Sequence, residues 1–286
     1  MKNDVSTVDS HFHVFEARQA VADARYTPAY AATLPAWQSL AQAVGVTRGV
    51  LVQTSFMGTD NAFLLAHLAQ YPDRLRGVAV VAPSASLDSL SALHAQGVRG
   101  IRLNLAGQSH DMSRWTSATA LWDAVLQLGW HVELHTDSGA LPQVLAALPL
   151  AVPLVVDHFG KPEKASLRDA AVVAVRQRSQ TSDKGPRLHV KLSAAYRLMQ
   201  GLDPQAVAQL WLGELGPQAL LWGSDWPCTN FEAQADYPQL HAALQDWLGQ
   251  DSAAVEAARS GNPLRLYWGG PEQLQAGQQP RPDAVL

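Results

Sequence analysis

The chain has 286 residues, 47% of them hydrophobic and 16% charged, with a formal net charge of −4 and a sequence pI near 6.2. Such a composition supports one large core and excludes a disordered chain, and its mild acidity gives no electrostatic ground for a nucleic-acid or anionic-membrane partner. A single cysteine, Cys228, excludes an internal disulfide and fits a reducing compartment.

Short apolar, β-branched runs alternate with amphipathic stretches along the chain. Strands are expected at Ser6–Ser10, Gly49–Thr54, Gly77–Val81, Gly100–Leu105, His131–His135, Pro153–Asp157, Leu188–Ser193 and Leu220–Ser224. Helices are expected between them at Leu34–Ala43, Asn61–Ala69 (with Thr59 and Asp60 as caps), Leu87–Gln96, Ala118–Leu128, Leu141–Leu148, Ser166–Arg178, Pro204–Leu215 and Tyr237–Leu248. Strand, helix, strand, repeated in this way, predicts parallel β-structure and a single (β/α)8 barrel of the TIM type. The rival, an open doubly wound sheet, usually carries a G-x-G-x-x-G turn, and none occurs. The barrel is expected over residues 1–268. Residues 269–286, rich in Gln, Pro and Gly, read as a mobile polar tail, and Gln177–Pro186 as a flexible loop. The start, MKNDVSTVDS, lacks the apolar stretch of a signal peptide. The most apolar run, Val144–Val156, is too short for a bilayer and broken by Pro149 and Pro153, so a soluble, cytoplasmic protein is expected.

Polar residues interrupt these apolar runs at one end, the C-terminal end of each strand, where a (β/α)8 barrel carries its chemistry. The first strand runs into Asp9-Ser10-His11-Phe12-His13, whose two imidazoles would converge because alternate strand residues face one way. Later strands contribute Gln53 and Ser55, Arg102 and Asn104, Glu133 and His135, Asp157 and His158, Lys191, Ser193 and Arg197, and Asp225. Any one of these could simply mark where a strand meets water. Recurrence at the same end of strand after strand points instead to one shared polar site. His67, His94 and His241 fall in helical segments and read as solvated.

His11, His13, His158 and Asp225 make an N/N/N/O donor set suited to one divalent cation, zinc being the first candidate. The same imidazoles could instead polarise a substrate carbonyl with no metal. In both versions Asp225 is the natural general base and water the nucleophile, since G-x-S-x-G is absent and Cys228 has no neighbouring base in sequence. Arg102 and Arg197 suit bidentate capture of a carboxylate.

D-x-H-x-H (Asp9, His11, His13), DHFGKP from Asp157 and WGSDWP from Trp222 resemble the amidohydrolase superfamily. GVLVQTSFMGTDN, RLRGVAVV, GVRGIRLN and NPLRLYW are similar to its branch containing 2-pyrone-4,6-dicarboxylate lactonase, so the likeness runs from about Val8 to Trp268. The resemblance implies a distorted (β/α)8 barrel that opens a lactone hydrolytically. It implies that His11, His13 and His158 polarise the carbonyl, that Asp225 is the base, and that Arg102, Arg197 and Tyr26 contact substrate. Two positions depart from that pattern. Gln108 stands where a further arginine is expected, and His135 where a tyrosine is expected. Loss of one cationic clamp predicts a monocarboxylated or neutral polyhydroxylated lactone as the better substrate. Strand four carries no lysine, which argues against a carbamylated-lysine binuclear centre. The readings that compete are a metal-dependent decarboxylase of the same superfamily and a non-catalytic barrel that binds a small acid.

Overall fold

A computed structural model describes residues 6–22, 24–179, 181–182 and 185–269. In chain order the strands are β1 (Thr7–Phe12), β2 (Val46–Val52), β3 (Leu75–Ala79), β4 (Val98–Asn104), β5 (His131–His135), β6 (Leu154–Val156), β7 (Thr181–Ser182), β8 (Gly185–Pro186), β9 (Leu188–Leu192) and β10 (Leu220–Trp222). Eight of them form one sheet in the order β1-β2-β3-β4-β5-β6-β9-β10, with every ladder parallel. The helices are α1 (Leu34–Ala43), α2 (Ala62–Gln70), α3 (Leu87–Ala95), α4 (Ser113–Thr116), α5 (Thr119–Gln127), α6 (Leu141–Ala147), α7 (Ala170–Arg178), α8 (Pro204–Leu215), α9 (Tyr237–Trp247), α10 (Ser252–Glu256) and α11 (Asn262–Trp268). This is the expected (β/α)8 barrel. No helix among the described residues is long and apolar enough to cross a membrane.

Side-chain alternation explains the layering. In β5 (HVELH), Val132 and Leu134 face outward into the core shared with the helices, while His131, Glu133 and His135 face into the barrel. In β9 (LHVKL), Leu188, Val190 and Leu192 are the outward set, leaving His189 and Lys191 inside. The outer core is aliphatic and aromatic, with Trp37, Trp122, Trp130, Trp211 and Trp222 all buried. Several helices start where short polar side chains cap them: Thr33, Ser86, Asp169, Asp203, Asp236 and Asp251 each accept from a first-turn backbone N–H.

The barrel closes irregularly. β10 meets β1 past its end, through the single bridge Phe12–Trp226. The His13 N–H donates to the Trp226 carbonyl and the Asp225 N–H to that of His11, both at 2.8 Å. Gly223 permits this approach, because a Cβ there would lie 2.5 Å from the His11 Cβ. The barrel is distorted at this seam.

Several elements depart from the sequence reading, among them the short α4. Residues expected as a plain loop after α7 include the antiparallel pair β7–β8. The chain after α9 forms α10, a π-helical turn at Ala257–Gly261 and α11. Gly261 and Pro263 mask this helical stretch in the sequence, yet Pro263 is tolerated because it occupies the first turn of α11. Leu264, Tyr267 and Trp268 of α11 pack on Val8, Val50, Val52, Val78, Val155 and Leu221 and cover the N-terminal end of the barrel. The expected polar tail lies outside the described residues, apart from Gly269.

Candidate active site

The barrel interior is polar where such barrels usually stack aliphatic layers. Its middle layer holds Arg102, Glu133, Asp157, Lys191 and His11, all buried. The Lys191 Nζ donates to Glu133 Oε2 at 2.7 Å and stands 3.4 Å from Asp157 Oδ1 and 3.1 Å from His11 Nδ1. Arg102 donates through Nε and Nη2 to Asp157 Oδ2, at 3.1 and 3.0 Å. Two carboxylates thus face Lys191, Arg102 and the His11 imidazole, which is what makes a fully buried ionic layer tolerable. Burial pushes both carboxyls up. For Asp157 the opposing pull of His11, Lys191 and Arg102 wins and holds it well below the ordinary carboxylate range; Glu133, also raised by Asp157, still ends low through Lys191 and His11.

Above this layer three imidazoles share one design. His11 directs Nδ1 at Glu133 Oε1 (3.2 Å) and Asp157 Oδ1 (3.3 Å). His13 Nδ1 donates to the Val52 carbonyl at 2.7 Å, and His158 Nδ1 pairs with Ser193 Oγ at 2.9 Å. With each Nδ1 held by a partner, all three Nε2 atoms turn to Asp225 Oδ1, at 3.5, 3.5 and 3.8 Å for His11, His13 and His158. Since a carbonyl only accepts, His13 carries its proton on Nδ1, and when neutral offers an Nε2 lone pair 3.3 Å from His11 Nε2. A positive group is needed between that lone pair and the carboxylate. His11 favours this: burial and Lys191 push its pKa down, but Asp157 and Glu133 outweigh them and leave it raised, toward the positive form. Burial keeps His13 below the usual imidazole value and His158 well below it.

A divalent cation would meet the same need. Bonds of about 2.0–2.1 Å in a tetrahedron put neighbouring donors about 3.3–3.4 Å apart, close to the 3.3–3.5 Å spacings among His11, His13 and Asp225. His11, His158 and Asp225 bring one donor each within 4.8 Å of one another. A second such group, His11, Glu133 and Asp157, already surrounds the Lys191 ammonium. The residues present fit one ion, on the cavity side of His11.

Asp225 sits in the left-handed backbone region (φ 59°), as does His158 (φ 52°), conformations that cost energy and cluster at functional sites. Its Oδ2 accepts from Tyr196 OH at 2.8 Å and Arg197 Nε at 2.9 Å, which leaves Oδ1 for the imidazoles. Burial raises its pKa, but Arg197, His158, the His13 hydrogen bond and His11 together hold it well below the ordinary value. Asp225 is therefore ionised at any working pH.

These groups form the floor of a cavity of about 310 Å³. Of the residues singled out in the sequence, His13, Tyr26, Ser55, Arg102, Asn104, His135, His158, Arg197 and Asp225 line it. His11 lies beneath, fully buried. Gln53 does not reach the cavity; its amide donates to the Asp60 carbonyl at 2.7 Å and ties down the loop after β2. Gln108 does not line it either: its amide donates to the Asn104 carbonyl at 2.9 Å and borders an adjoining pocket. Both nitrogens of buried His135 and the Asn104 Oδ1 have no protein partner among the described residues, so polar atoms on the wall remain to be satisfied by what binds there.

Sequence reasoning assigned no role to three groups. Asp9 accepts from the His11 N–H, Trp37 Nε1, Tyr237 OH, and both the N–H and Oγ of Ser224, and so ties β1, α1, α9 and the exit of β10 together. Its place in D-x-H-x-H was the available signal. Tyr196, the Asp225 partner, directly precedes Arg197. Arg25, which lines the cavity beside Tyr26, gave no signal at all.

The Amidohydrolase family model matches residues 8–268. Among characterised proteins, the chain is 28% identical over 297 aligned residues to a 2-pyrone-4,6-dicarbaxylate hydrolase of Comamonas testosteroni, covering 96% of this chain and 93% of that one. It is 30% identical to a 4-sulfomuconolactone hydrolase of Hydrogenophaga intermedia, covering 78% and 75%. A crystal structure from Acinetobacter baumannii, described as a probable 2-pyrone-4,6-dicarboxylic acid hydrolase with citric acid bound, superposes with a TM-score of 0.78 at 30% identity, covering 92% and 99%.

Proposed function

As the chain belongs to the amidohydrolase family, we propose that it is a hydrolase that opens a carboxylated lactone with water, Asp225 serving as general base. The observation that carries this reading is the convergence of three Nε2 atoms on one ionised carboxylate oxygen at the floor of an arginine-walled cavity. The names of its relatives specify a pyrone dicarboxylate and a sulfomuconolactone, both cyclic esters bearing acidic groups.

In the reaction, the lactone carbonyl lies against the imidazole edge, where a protonated His11 supplies positive charge as the oxygen becomes anionic. Water beside Asp225 Oδ1 attacks the carbonyl carbon, and Asp225 takes its proton as the new C–O bond forms. The tetrahedral centre collapses, the ring C–O bond breaks, and the proton on Asp225 passes to the departing ring oxygen. The products are a carboxylic acid and a hydroxyl (or enol). Arg197 and Tyr196 hold Asp225 throughout and keep Oδ1 turned to the water. Cys228 is no competing nucleophile, because burial and then Asp225 push its thiol up to about 12. His11, His13, His158 and Asp225 would hold a single divalent cation, zinc by donor type; bound there, it supplies Lewis-acid polarisation of the carbonyl.

Asp225→Asn tests the assignment. It should bind a carboxylated lactone while losing about 10²-fold or more in kcat. Near-normal turnover in a folded Asp225→Asn protein would place the base elsewhere. Carbon dioxide release from a benzoate-type acid, with no lactone opened, would favour the decarboxylase reading.

A further inference from the structure

The cavity is lined by three arginines, and they differ in what they already hold. Arg102 is bound to Asp157, with Glu133 at 3.6 Å. Arg197 is bound to Asp225 and, through Nη2, to the Thr229 carbonyl. Both guanidinium charges are offset by carboxylates of the chain. Arg25, from the segment between β1 and α1, also lines the cavity, and its one protein partner among the described residues is the Ala106 carbonyl, accepting from Nη1 at 2.6 Å. It makes no ion pair with any described carboxylate.

That single hydrogen bond places the guanidinium. Ala106 belongs to the turn after β4, and Ala106 also lines the cavity. The next residue, Gly107, has φ 67°, and a Cβ there would come 2.9 Å from Arg25 Nη1. The turn is itself tied down, since the Gly107 N–H donates to both oxygens of Asp137 at 3.0 Å. With Nη1 anchored, the remaining N–H donors of the fork stay available to an anion. Gln108, one residue further on, turns back to Asn104 and leaves this wall to Arg25.

We infer that Arg25 is a specificity-determining residue that binds a second anionic substituent of the substrate, at the rim and away from the reacting carbonyl. The cation missing from the chain at Gln108 is supplied from a different segment, so the preferred lactone carries two acidic groups rather than one. This inference rests on the lactone-opening reading, and it replaces the expectation of a monocarboxylated or neutral substrate.

The test compares 2-pyrone-4,6-dicarboxylate with its two monocarboxylates on wild type, Arg25→Ala and Arg25→Lys. Arg25→Ala should raise KM about 10- to 100-fold, the loss of one charge-assisted hydrogen bond, for the dicarboxylate and one monocarboxylate but not the other. Arg25→Lys should restore part of that loss. An equal penalty on all three lactones, or none, would overturn the assignment. If wild type opens none of them, the lactone reading fails and equilibrium titration decides the role of Arg25. Dicarboxylate binding weakened in Arg25→Ala would sustain it, and equal binding in the two proteins would dismiss it.

Discussion

Lys191→Met removes the ammonium from the ionic layer under the site while keeping a side chain of similar length. The ammonium lies 2.7 Å from Glu133 Oε2 and 3.4 Å from Asp157 Oδ1. At an effective dielectric of about 20 these pairs are worth roughly 6 and 5 kcal/mol, against several kcal/mol for keeping the ammonium out of water. Without it, the two buried carboxylates keep only Arg102 and His11 as cationic partners, and removing one partner of a buried pair costs about 3–5 kcal/mol. At about 2–4 °C per kcal/mol for a chain of this size, the melting temperature should fall by roughly 6–20 °C. Adding Glu133→Gln removes the carboxylate that had lost its nearest cation and leaves Asp157 with Arg102 and His11, so the double variant should regain at least half of the loss. Thermal and denaturant unfolding of wild type, both single variants and the double variant give the coupling directly. A loss under about 1 kcal/mol for Lys191→Met, or strict additivity in the double variant, would refute the charge-balanced layer.

Burial lowers the pKa of His131 and His241 to about 4 and of His189 to about 3, and takes His135 and His158 well below the ordinary value. Between their folded values and about 6.5 the unfolded chain binds more protons, so stability should rise with pH across that window, by up to about 1.4 kcal/mol per pH unit for each histidine. The depressed carboxyls of Asp157 and Asp225 act in the same direction lower down: their contribution is present above about 4 and is lost as pH falls through their folded values. His11, raised when folded, acts oppositely and stabilises below about 6.5, with loss as pH rises through its folded value. Melting curves from pH 4 to 8 check the net slope, and a flat profile between 4 and 6.5 would contradict it. Zinc must displace a proton from His11, so calorimetric titration of metal-stripped protein should show tighter binding at pH 8.5 than at pH 6, and His11→Gln should abolish that dependence. Asp9→Ala strands buried donors from Trp37, Ser224 and Tyr237 and should cost about 3–5 kcal/mol in denaturant unfolding, in line with loss of a buried charged partner; a loss near zero would show that water replaces it.

The sequence by itself determined what depends on local pattern. Eight β-branched runs with helices between them specify the barrel, because period-two and period-3.6 burial are local signals. The convergence of His11 and His13 follows from strand alternation, and the clustering of polar residues at the strand ends from the way a parallel barrel gathers its loops. The tertiary structure alone decided how those charges are partnered. Arg102 reads as a free clamp until Asp157, 55 residues later, occupies its fork. Lys191 gains its meaning only from Glu133 and His11, which lie 58 and 180 residues away. Gln108 turns back to Asn104 while Arg25 lines the cavity, since which side chain reaches it depends on how the segment before α1 packs on the turn after β4. Periodicity reports which face of an element is buried. It carries no information on which buried charge meets which, because those distances are set only when eight strands close on themselves.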